Sequence, residues 1–316
     1  MKDKKILIIG GTGALGKTLI RRYYENNGIL ILSRDEHKHV NLQNQYKNLS
    51  FQIGNIKEKN TIEKALKEFQ PHVVINTAAL KHVPICESNT YESVKTNIIG
   101  NNNVIDAIRM HGDMVETLIF VSTDKACKPI NIYGMCKAIS ERLYIDFANK
   151  QDKIKTCLVR YGNVLESTGS VIPYFKQLLN KKSSYLPITD IQMTRFLLSL
   201  DQAVDLIEWT YKNDNSHGKI AVPHVKSFKI TSIAKALIKK YKLSGKVQLK
   251  TVGIRPGEKI HEEMISTEEW MRTYKNGKNY LIGDNIVGPE GKSYSSRDSL
   301  MDDDETYEFL SENGVI

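Results

Sequence analysis

The chain has 316 residues, of which 41% are hydrophobic, and it carries a formal net charge of +9. This length suffices for one large domain or two moderate ones, with a substantial core. The ordinary numbers of glycine and proline, 20 and 8, exclude a collagen-like, low-complexity or disordered protein. The sequence holds no apolar run of 18 residues, so we expect no membrane-spanning helix.

The cysteines and the charge distribution narrow the class further. Cys86, Cys127, Cys136 and Cys157 form no CxxC pair and have no histidine at zinc-ligand spacing. We therefore expect reduced, buried thiols in a cytoplasmic protein without a metal. The positive charge comes mostly from scattered lysines, which does not support a nucleic-acid or membrane partner but suits a phosphorylated small molecule.

Short apolar runs alternate with helix-period segments along the first half of the chain. The predicted strands are 5–9, 29–32, 73–75, 118–121 and 156–161. The predicted helices between them are 15–24, 60–69, 91–110 and 133–149. Strands this short and apolar indicate a sheet that is covered on both faces. The alternation predicts an α/β fold with a doubly wound parallel sheet of the Rossmann type.

The second half is less regular and indicates a smaller α/β domain interleaved with the first. Helical spacing at 172–179, 201–211 and 230–241 is separated by loops with proline and glycine. We predict a nucleotide-binding domain formed by 1–164 and 196–222. Residues 165–195 and 223–316 then form a substrate domain.

A glycine-rich loop follows the first strand directly. Residues 10–16 read Gly-Gly-Thr-Gly-Ala-Leu-Gly and open a helix. The spacing of Gly11, Gly13 and Gly16 fits the dinucleotide fingerprint, and Gly10 lies three residues before Gly13. Missing side chains allow a tight turn and close approach of a pyrophosphate, and the helix N-terminus offers its N–H groups to the anion.

The residues after the second strand determine whether NADP or NAD is preferred. Ser33, Arg34 and Asp35 occupy this place. Arg34 and Ser33 can bind a 2′-phosphate, which favours NADP. Asp35 can instead bind a ribose 2′-hydroxyl, which leaves NAD as the alternative.

A set of polar residues around the fifth strand carries the chemistry. Asp124 and Lys125 follow the strand, and Tyr133 and Lys137 are spaced to lie on one face of the next helix. A phenol near a fixed ammonium has a lowered pKa and can act as a base towards an alcohol. Beside a nicotinamide, that alcohol can lose a hydride.

Taken together, these motifs resemble the extended short-chain dehydrogenases/reductases. Longer strings narrow the resemblance to the UDP-N-acetylglucosamine 4,6-dehydratases, and within them to the soluble, C5-inverting enzymes. The resemblance covers residues 4 to about 266. The strings that carry it are 76–84, 122–126, 160–164, 169–173, 187–190, 193–196 and 255–259.

The resemblance implies a reaction in three stages. Tyr133 takes the C4 hydroxyl proton while hydride leaves C4, Asp124 and Lys125 supply the acid and base that eliminate water across C5 and C6, and hydride returns to C6. NADP is thereby regenerated. A lysine acts as a base only when it is neutral, so the pKa of Lys125 has to be lowered by its surroundings, which Asp124 opposes.

The resemblance also implies binding residues and a partner. Those expected to hold NADP are Gly10, Thr12, Gly13, Ala14, Leu15, Gly16, Ser33, Arg34, Asp35, Asn55, Ile56, Ala78, Ala79, Lys81, Asn97, Thr123, Tyr133, Lys137 and Val164. Those expected to hold UDP-N-acetylglucosamine are Lys81, Thr123, Asn163, Val171, Arg195, Arg255 and Glu258. Helices 91–110 and 133–149 suggest a homo-oligomer, a dimer or hexamer. His82 and His261 are expected to be structural.

Two departures from the family pattern and two alternatives remain. Asn55 stands where the family usually has an acidic residue, and Thr168 where an arginine is common. C5-retaining relatives often replace Tyr133 with methionine, so this tyrosine favours inversion. A UDP-hexose 4-epimerase would need no counterpart of Asp124 and Lys125. A non-catalytic NADP-sensing protein would need none of the catalytic set.

Overall fold

The computed structural model describes residues 1–165, 169–289 and 291–316, and a nine-stranded sheet lies at the centre of these residues. The strands of the described chain are β1 (Lys5–Ile9), β2 (Gly28–Ser33), β3 (Ser50–Ile53), β4 (Val73–Asn76), β5 (Thr117–Val121), β6 (Lys155–Val159), β7 (Asn163–Val164), β8 (Tyr185–Ile188), β9 (Thr194–Leu198), β10 (Ile220–Pro223), β11 (Ser227–Lys229), β12 (Gln248–Thr251), β13 (Glu263–Ile265), β14 (Thr273–Asn276), β15 (Asn279–Ile282) and β16 (Tyr294–Ser295).

The described α-helices cover the faces of the sheet and build the second half of the molecule. They are α1 (Ala14–Tyr23), α2 (Glu36–Gln45), α3 (Lys59–Phe69), α4 (Val83–Ser88), α5 (Thr90–Val94), α6 (Gly100–His111), α7 (Ile132–Asn149), α8 (Val171–Asn180), α9 (Leu200–Lys212), α10 (Ile230–Lys240), α11 (Thr267–Trp270) and α12 (Asp303–Glu312). A π-helical turn, Lys95–Ile99, joins α5 to α6, where the sequence predicted one unbroken helix.

The strand order fixes where a ligand can bind. The main sheet runs β14-β15-β10-β6-β5-β4-β1-β2-β3, and the six strands from β1 to β6 are parallel. The chain adds strands outward on one side of β1 and then starts again with β4 on the other side. Ligands of such sheets bind beyond the carboxyl ends of the strands at this switch point. The predicted doubly wound α/β sheet is thus confirmed.

The apolar strands explain why both faces of the sheet are covered. Successive side chains of a strand point to opposite faces. Leu7 and Ile9 accordingly lie in one core cluster, and Ile6 and Ile8 lie in the other, all without solvent exposure. Burial of each such side chain contributes about 1.5–3 kcal/mol, so the helices on both faces are held by the same strand.

A third core cluster belongs to the second half of the chain. It packs α8, α10 and α12 with the small strands β8 and β9. One segment differs from the predicted division: β14 and β15, which were assigned to the substrate domain, extend the main sheet antiparallel beside β10. Their alternating, part-polar sequence gave no strand signal, because the pair lies at the sheet edge. The other predicted boundaries stay a prediction.

The four cysteines are free and buried, as the sequence predicted. Among the described residues, no helix combines the length and the apolar character that crossing a bilayer requires.

A buried ion network ties the C-terminal segment to the sheet. Arg160, directly after β6, is 1% exposed and donates to both carboxylate oxygens of Glu141 and of Glu269, at 2.6–2.9 Å. Burial alone would raise the pKa of Glu269, but Arg160 holds it at about 2. Ser122 donates to Glu141 at 2.6 Å, so the network reaches the end of β5.

We expect Arg160→Met to lower the free energy of unfolding by about 3–5 kcal/mol, because it leaves two buried carboxylates without a counter-ion. Urea denaturation at neutral pH measures this loss. Arg22→Met is the control: Arg22 pairs with Asp201 and Asp205 at the exposed surface, where a pair contributes about 1 kcal/mol or less. Equal losses in both variants would contradict the structural role given to Arg160.

Candidate active site

The glycine loop lies at the carboxyl end of β1 with its backbone crowded on one side. A Cβ atom at Gly10, where φ is +83°, would come within 2.8 Å of the Ala78 amide nitrogen. A Cβ atom at Gly16 would collide with the backbone of Gly11. Gly13 is exposed, and a Cβ atom there would lie in ordinary contact with the Gly10 carbonyl oxygen at 3.4 Å. Only glycine satisfies the first two positions, and the loop surface stays free for a ligand.

Helix α1 leaves its first N–H groups available. Within the described chain, no side chain caps its N-terminus at Gly13, and its first turn holds no acidic residue. By contrast, α9 and α12 close their own N-termini with capping boxes. An uncapped N-terminus beside a glycine loop is suited to an anion. Thr12, Ala14 and Leu15 are half-buried around it.

Asn97 lies in the π-helical turn and acts on the facing loop after β4. Its side chain accepts from the Leu80 amide at 2.9 Å and donates to the Leu80 carbonyl at 2.8 Å. Both polar atoms of the amide are thus engaged with the backbone that follows Ala78 and Ala79. The predicted cofactor residue is placed as a clamp of the loop opposite the glycines, and the π turn brings it there.

After β2, the carboxylate of Asp35 is already bonded within the chain, whereas the cation of Arg34 is exposed. Asp35 caps α2 by accepting from the Lys38 amide, and its other oxygen pairs with the Lys38 ammonium at 2.8 Å. Arg34 is exposed. Ser33 is buried, and its hydroxyl hydrogen-bonds with His39. A group bound here meets Arg34 and Lys38 while Asp35 is already paired.

The turn after β3 carries two more of the predicted cofactor residues, Asn55 and Ile56. Asn55 accepts from the Lys57 amide at 3.1 Å and so stabilises the turn that a carboxylate would stabilise equally. Ile56 is buried against Gly100, where a Cβ atom would come within 2.8 Å of its side chain.

The residues after β5 form a buried charge cluster. Asp124 has no solvent exposure, and its Oδ1 accepts from the Thr123 hydroxyl at 2.9 Å and from the Lys125 ammonium at 3.0 Å. Lys125 Nζ also lies 3.5 Å from the Asn163 amide oxygen and 3.5 Å from Glu262 Oε1. One ammonium therefore lies between two carboxylates at the carboxyl end of the sheet.

The surroundings shift the pKa values of the Asp124 and Glu262 carboxyl groups in opposite directions. Burial raises the pKa of Asp124 in spite of Lys125. Burial would also raise the pKa of Glu262, but the charges of Lys125, Arg195 and Lys259 lower it. Paired carboxylates whose environments push their pKa values apart are typical of acid–base sites.

The pKa of Lys125 depends on a balance between burial and neighbouring charges that the sequence left open. Burial acts to lower it, but the carboxylates of Asp124 and Glu262 outweigh burial and raise it. The lowering that a lysine base requires is therefore absent from the described surroundings of Lys125 in the ligand-free chain. The sequence could not show this, because the second carboxylate comes from 137 residues further along the chain.

Glu262 is the site residue that sequence reasoning missed. It is 3% exposed, and it follows the string 255–259 by three positions, within the stretch covered by the resemblance. Its proximity to Lys125 depends on how the loop before β13 folds back over β5. Within the described chain, Asp124 Oδ2 and Glu262 Oε2 are buried without a hydrogen-bond partner. Such acceptors are costly unless a ligand or a proton satisfies them.

Tyr133 and Lys137 both lie on α7. Lys137 donates to the Val121 carbonyl at 2.7 Å and lies over the Phe120 ring at 4.4 Å. Burial lowers the pKa of Lys137 to about 7. Burial raises the pKa of Tyr133 to about 12, with Lys125 as the positive charge that opposes the rise. With a pKa of about 7, Lys137 is only partly charged at neutral pH, so its effect on the phenol pKa is weaker than that of a permanent ammonium.

The predicted substrate residues divide into a buried and an exposed group. Arg195 is buried, donates to the carbonyls of Thr194 and Ile260, and lies 3.9 Å from Glu262 Oε1. Lys81 and Arg255 are exposed. Glu258 accepts weakly from the Arg255 amide at 3.4 Å.

Other predicted positions are located with less detail. Val164 and Val171 are half-buried, and Thr168 lies outside the described residues. His82 faces Gly169, and His261 hydrogen-bonds with the Thr194 hydroxyl at 2.8 Å.

The doubly wound sheet, its glycine loop and the Tyr133–Lys137 helix define an extended short-chain dehydrogenase/reductase. The profile of a family described as polysaccharide biosynthesis protein matches residues 6–284. The chain belongs to this family.

Relatives of known name and structure agree with this assignment. The chain is 41% identical to a UDP-N-acetylglucosamine 4,6-dehydratase (inverting) from Campylobacter jejuni, over 90% of this chain and 84% of the relative. It is 38% identical to a protein named UDP-glucose 4-epimerase from Rickettsia bellii, over 89% and 83%. The solved structure of Pen from Bacillus thuringiensis matches with a TM-score of 0.91 and 27% identity, covering 100% of this chain and 99% of that one.

The buried ammonium of Lys137 predicts a pH dependence of stability. Its folded pKa of about 7 lies below the unfolded value, so protonation costs stability at neutral pH. That cost disappears as the pH rises towards about 10. We expect the wild type to gain stability relative to Lys137→Met between pH 7 and about pH 9.5.

Urea denaturation at the two pH values measures this difference. Lys150→Met, which removes an exposed lysine paired with Asp146, is the control. Its difference in stability from the wild type should be the same at both pH values. A stability gap between wild type and Lys137→Met that does not vary with pH would contradict the buried, low-pKa lysine.

Proposed function

We propose that this protein is a nucleotide-sugar dehydratase, a hydro-lyase that converts UDP-N-acetylglucosamine to UDP-2-acetamido-2,6-dideoxy-β-L-arabino-hex-4-ulose. The observation that carries the proposal is the ion pair between buried Asp124 and half-buried Lys125 at the carboxyl end of β5. A family member that only oxidises and reduces C4 has no use for this pair. The 41% identity to the inverting dehydratase supports the same substrate.

The residues around the glycine loop fit a nicotinamide dinucleotide. Glycine at positions 10 and 16 lets the loop pack closely against the backbone of Ala78 and Gly11, and the open N-terminus of α1 can receive the pyrophosphate. We propose NADP, because the Asp35 carboxylate is already paired while Arg34 is exposed. When bound, the nicotinamide accepts hydride from C4 of the sugar and returns it to C6.

The side chains of this chain then manage protons. Tyr133 takes the proton of the C4 hydroxyl, helped by the charge of Lys125 against the effect of burial. The C4 ketone acidifies C5. Lys125 removes the C5 proton while Asp124 protonates the C6 hydroxyl, so that the C5–H and C6–O bonds break and water leaves. The proton that Tyr133 took from the C4 hydroxyl then passes to C5 on the opposite face, which inverts that carbon and returns Tyr133 to its starting form.

The diphosphate of the substrate requires positive charge. Arg195, Arg255 and Lys81 are the proposed sources, because a guanidinium offers paired donors to phosphate oxygens. We propose that Asn163, whose amide oxygen lies 3.5 Å from Lys125 Nζ, contacts the sugar beside the reacting groups. We propose that Thr123, Val171 and Glu258 complete this site.

A second function is favoured by one observation, the 38% identity to the protein named UDP-glucose 4-epimerase. Epimerisation needs Tyr133 and the cofactor but no acid–base pair for C5 and C6, so Asp124 and Lys125 argue against it. Retention of Tyr133 likewise argues against a C5-retaining dehydratase. The complete catalytic set argues against a protein that only senses NADP.

Product analysis in deuterated water separates these functions. We expect UDP-N-acetylglucosamine to give a 4-keto-6-deoxy sugar with inverted configuration and deuterium at C5, seen by NMR. A 4-epimer formed without loss of water would establish the epimerase instead. Tight NADP binding without any product would establish the sensor.

We expect Lys125→Ala to abolish dehydration, by at least about a hundredfold, because proton transfer to and from a positioned group contributes about that factor. NADP affinity should stay unchanged. The matched control is Lys128→Ala on the same loop, since Lys128 is exposed and pairs with Glu263. Normal product formation by Lys125→Ala would contradict its role.

Cofactor choice is tested by Arg34→Ala. The loss of a charge at the 2′-phosphate should weaken NADP binding far more than NAD binding, by about 1.5–3 kcal/mol for a charge-assisted contact. Fluorescence titration of both nucleotides measures the split, with Arg21→Ala as the surface control. Equal losses for NADP and NAD would make NAD the natural cofactor.

We also propose a homo-oligomer, a dimer or hexamer, in the cytoplasm. Tyr91 and Ile139 on the helices around the π turn and on α7 are exposed at 71% and 47%, more than a monomer favours for large apolar side chains. Sedimentation that shows only monomer would remove this proposal.

A further inference from the structure

We propose that Glu262 is a positioning residue that holds Lys125 as an ammonium ion between two carboxylates and thereby sets when this lysine can act as a base. The inference rests on the proposed dehydration. It is carried by the ion pair of 3.5 Å between Lys125 Nζ and Glu262 Oε1 and by the burial of Glu262, with Lys125 half-buried beside it. Nothing in the motifs around β5 indicates this residue.

The surroundings of Lys125 explain why a second carboxylate matters. The charged and titratable groups that face it are Asp124 from its own turn, Glu262 from the loop before β13, Arg195 from β9 and Tyr133 from α7. Asp124 and Glu262 raise the pKa of Lys125 against burial, and Arg195 lowers it. Of the two carboxylates, only Glu262 also faces Arg195 and Lys259, and these charges keep it ionised.

This arrangement creates the base and the acid in one step. Transfer of a proton from Lys125 Nζ to Asp124 Oδ1, 3.0 Å apart, breaks one N–H bond and forms one O–H bond. It leaves a neutral amine for C5 and a protonated carboxyl for the C6 hydroxyl, and no electron or external proton is needed. Burial favours this neutral form of Asp124.

Glu262 keeps its charge through this transfer. Once Asp124 is neutral, Glu262 is the carboxylate that still faces Lys125 among the described groups around it. It therefore opposes premature loss of the ammonium proton and stabilises the ammonium that forms again when C5 is deprotonated. The unpartnered Oε2 of Glu262 remains free to accept from a sugar hydroxyl.

The test is Glu262→Gln, which preserves shape and removes the charge. The matched control is Glu263→Gln, since Glu263 is the next residue and pairs with Lys128 at 3.4 Å instead. Thermal unfolding of both variants checks that they fold. An opposite charge at this distance shifts a pKa by about one to three units, so the pKa of Lys125 should fall by that amount in Glu262→Gln.

Two readouts follow the shift. Trace labelling of lysines with acetic anhydride over a pH series, read by peptide mass spectrometry, reports the protonation of Lys125 without any turnover. We expect half-maximal labelling of Lys125 about one to three pH units lower in Glu262→Gln, with Lys125 unchanged in Glu263→Gln. The alkaline rise of kcat with UDP-N-acetylglucosamine should move to lower pH in the same variant only.

The outcomes separate this inference from the proposed function. Unchanged labelling and unchanged pH profile in Glu262→Gln would overturn the role of Glu262 while leaving dehydration intact. A labelling shift in an enzyme whose wild type forms only a 4-epimer would keep the charge coupling but refute dehydration. A fall in kcat in both variants without any pH shift would mean that Glu262 is merely structural, and would overturn the inference.

Discussion

An ammonium group held between two buried carboxylates is the constraint on which the site depends. Both buried carboxylates depend on the charge of Lys125, because an uncompensated buried charge lowers the free energy of unfolding by several kcal/mol. Lys125 in turn needs Asp124 on its own turn and Glu262 from the C-terminal segment. The Asp124 turn and the segment that carries Glu262 are therefore joined by charge, in addition to the apolar packing of Met264 and Ile265 in the core beside β5.

The fold supplies this constraint at the switch point of a parallel sheet. The carboxyl ends of β1, β4 and β5 bring the glycine loop, the loop clamped by Asn97 and the Asp124 turn to one edge. The Arg160 network then fixes Glu269 and the segment that carries Glu262 behind β5. Ser122 donates to Glu141 in that network, so the network also holds the turn that bears Asp124.

The sequence was informative where chemistry is local and poor where it depends on distant segments. Apolar runs such as Ile6–Ile9 predicted the parallel sheet, and the glycine spacing predicted the loop, because both signals lie within a few residues. The sequence did not predict strands β14 and β15 or the π turn at Lys95–Ile99. None of these segments has a distinctive hydrophobic period. Nor did it predict that Glu262 pairs with Lys125 or that the Val121 carbonyl binds Lys137. Both contacts depend on tertiary packing between segments that are distant in the sequence.

The central claim is that C4 lends a hydride that the same sugar recovers at C6 after water has left. Incubation with UDP-N-acetylglucosamine that carries deuterium at C4, followed by NMR or mass spectrometry of the product, tests it most directly. The account predicts a 4-keto sugar whose C6 methyl group holds the deuterium from C4. Deuterium that remains at C4 of an epimerised sugar, or that is lost to solvent, would contradict the account.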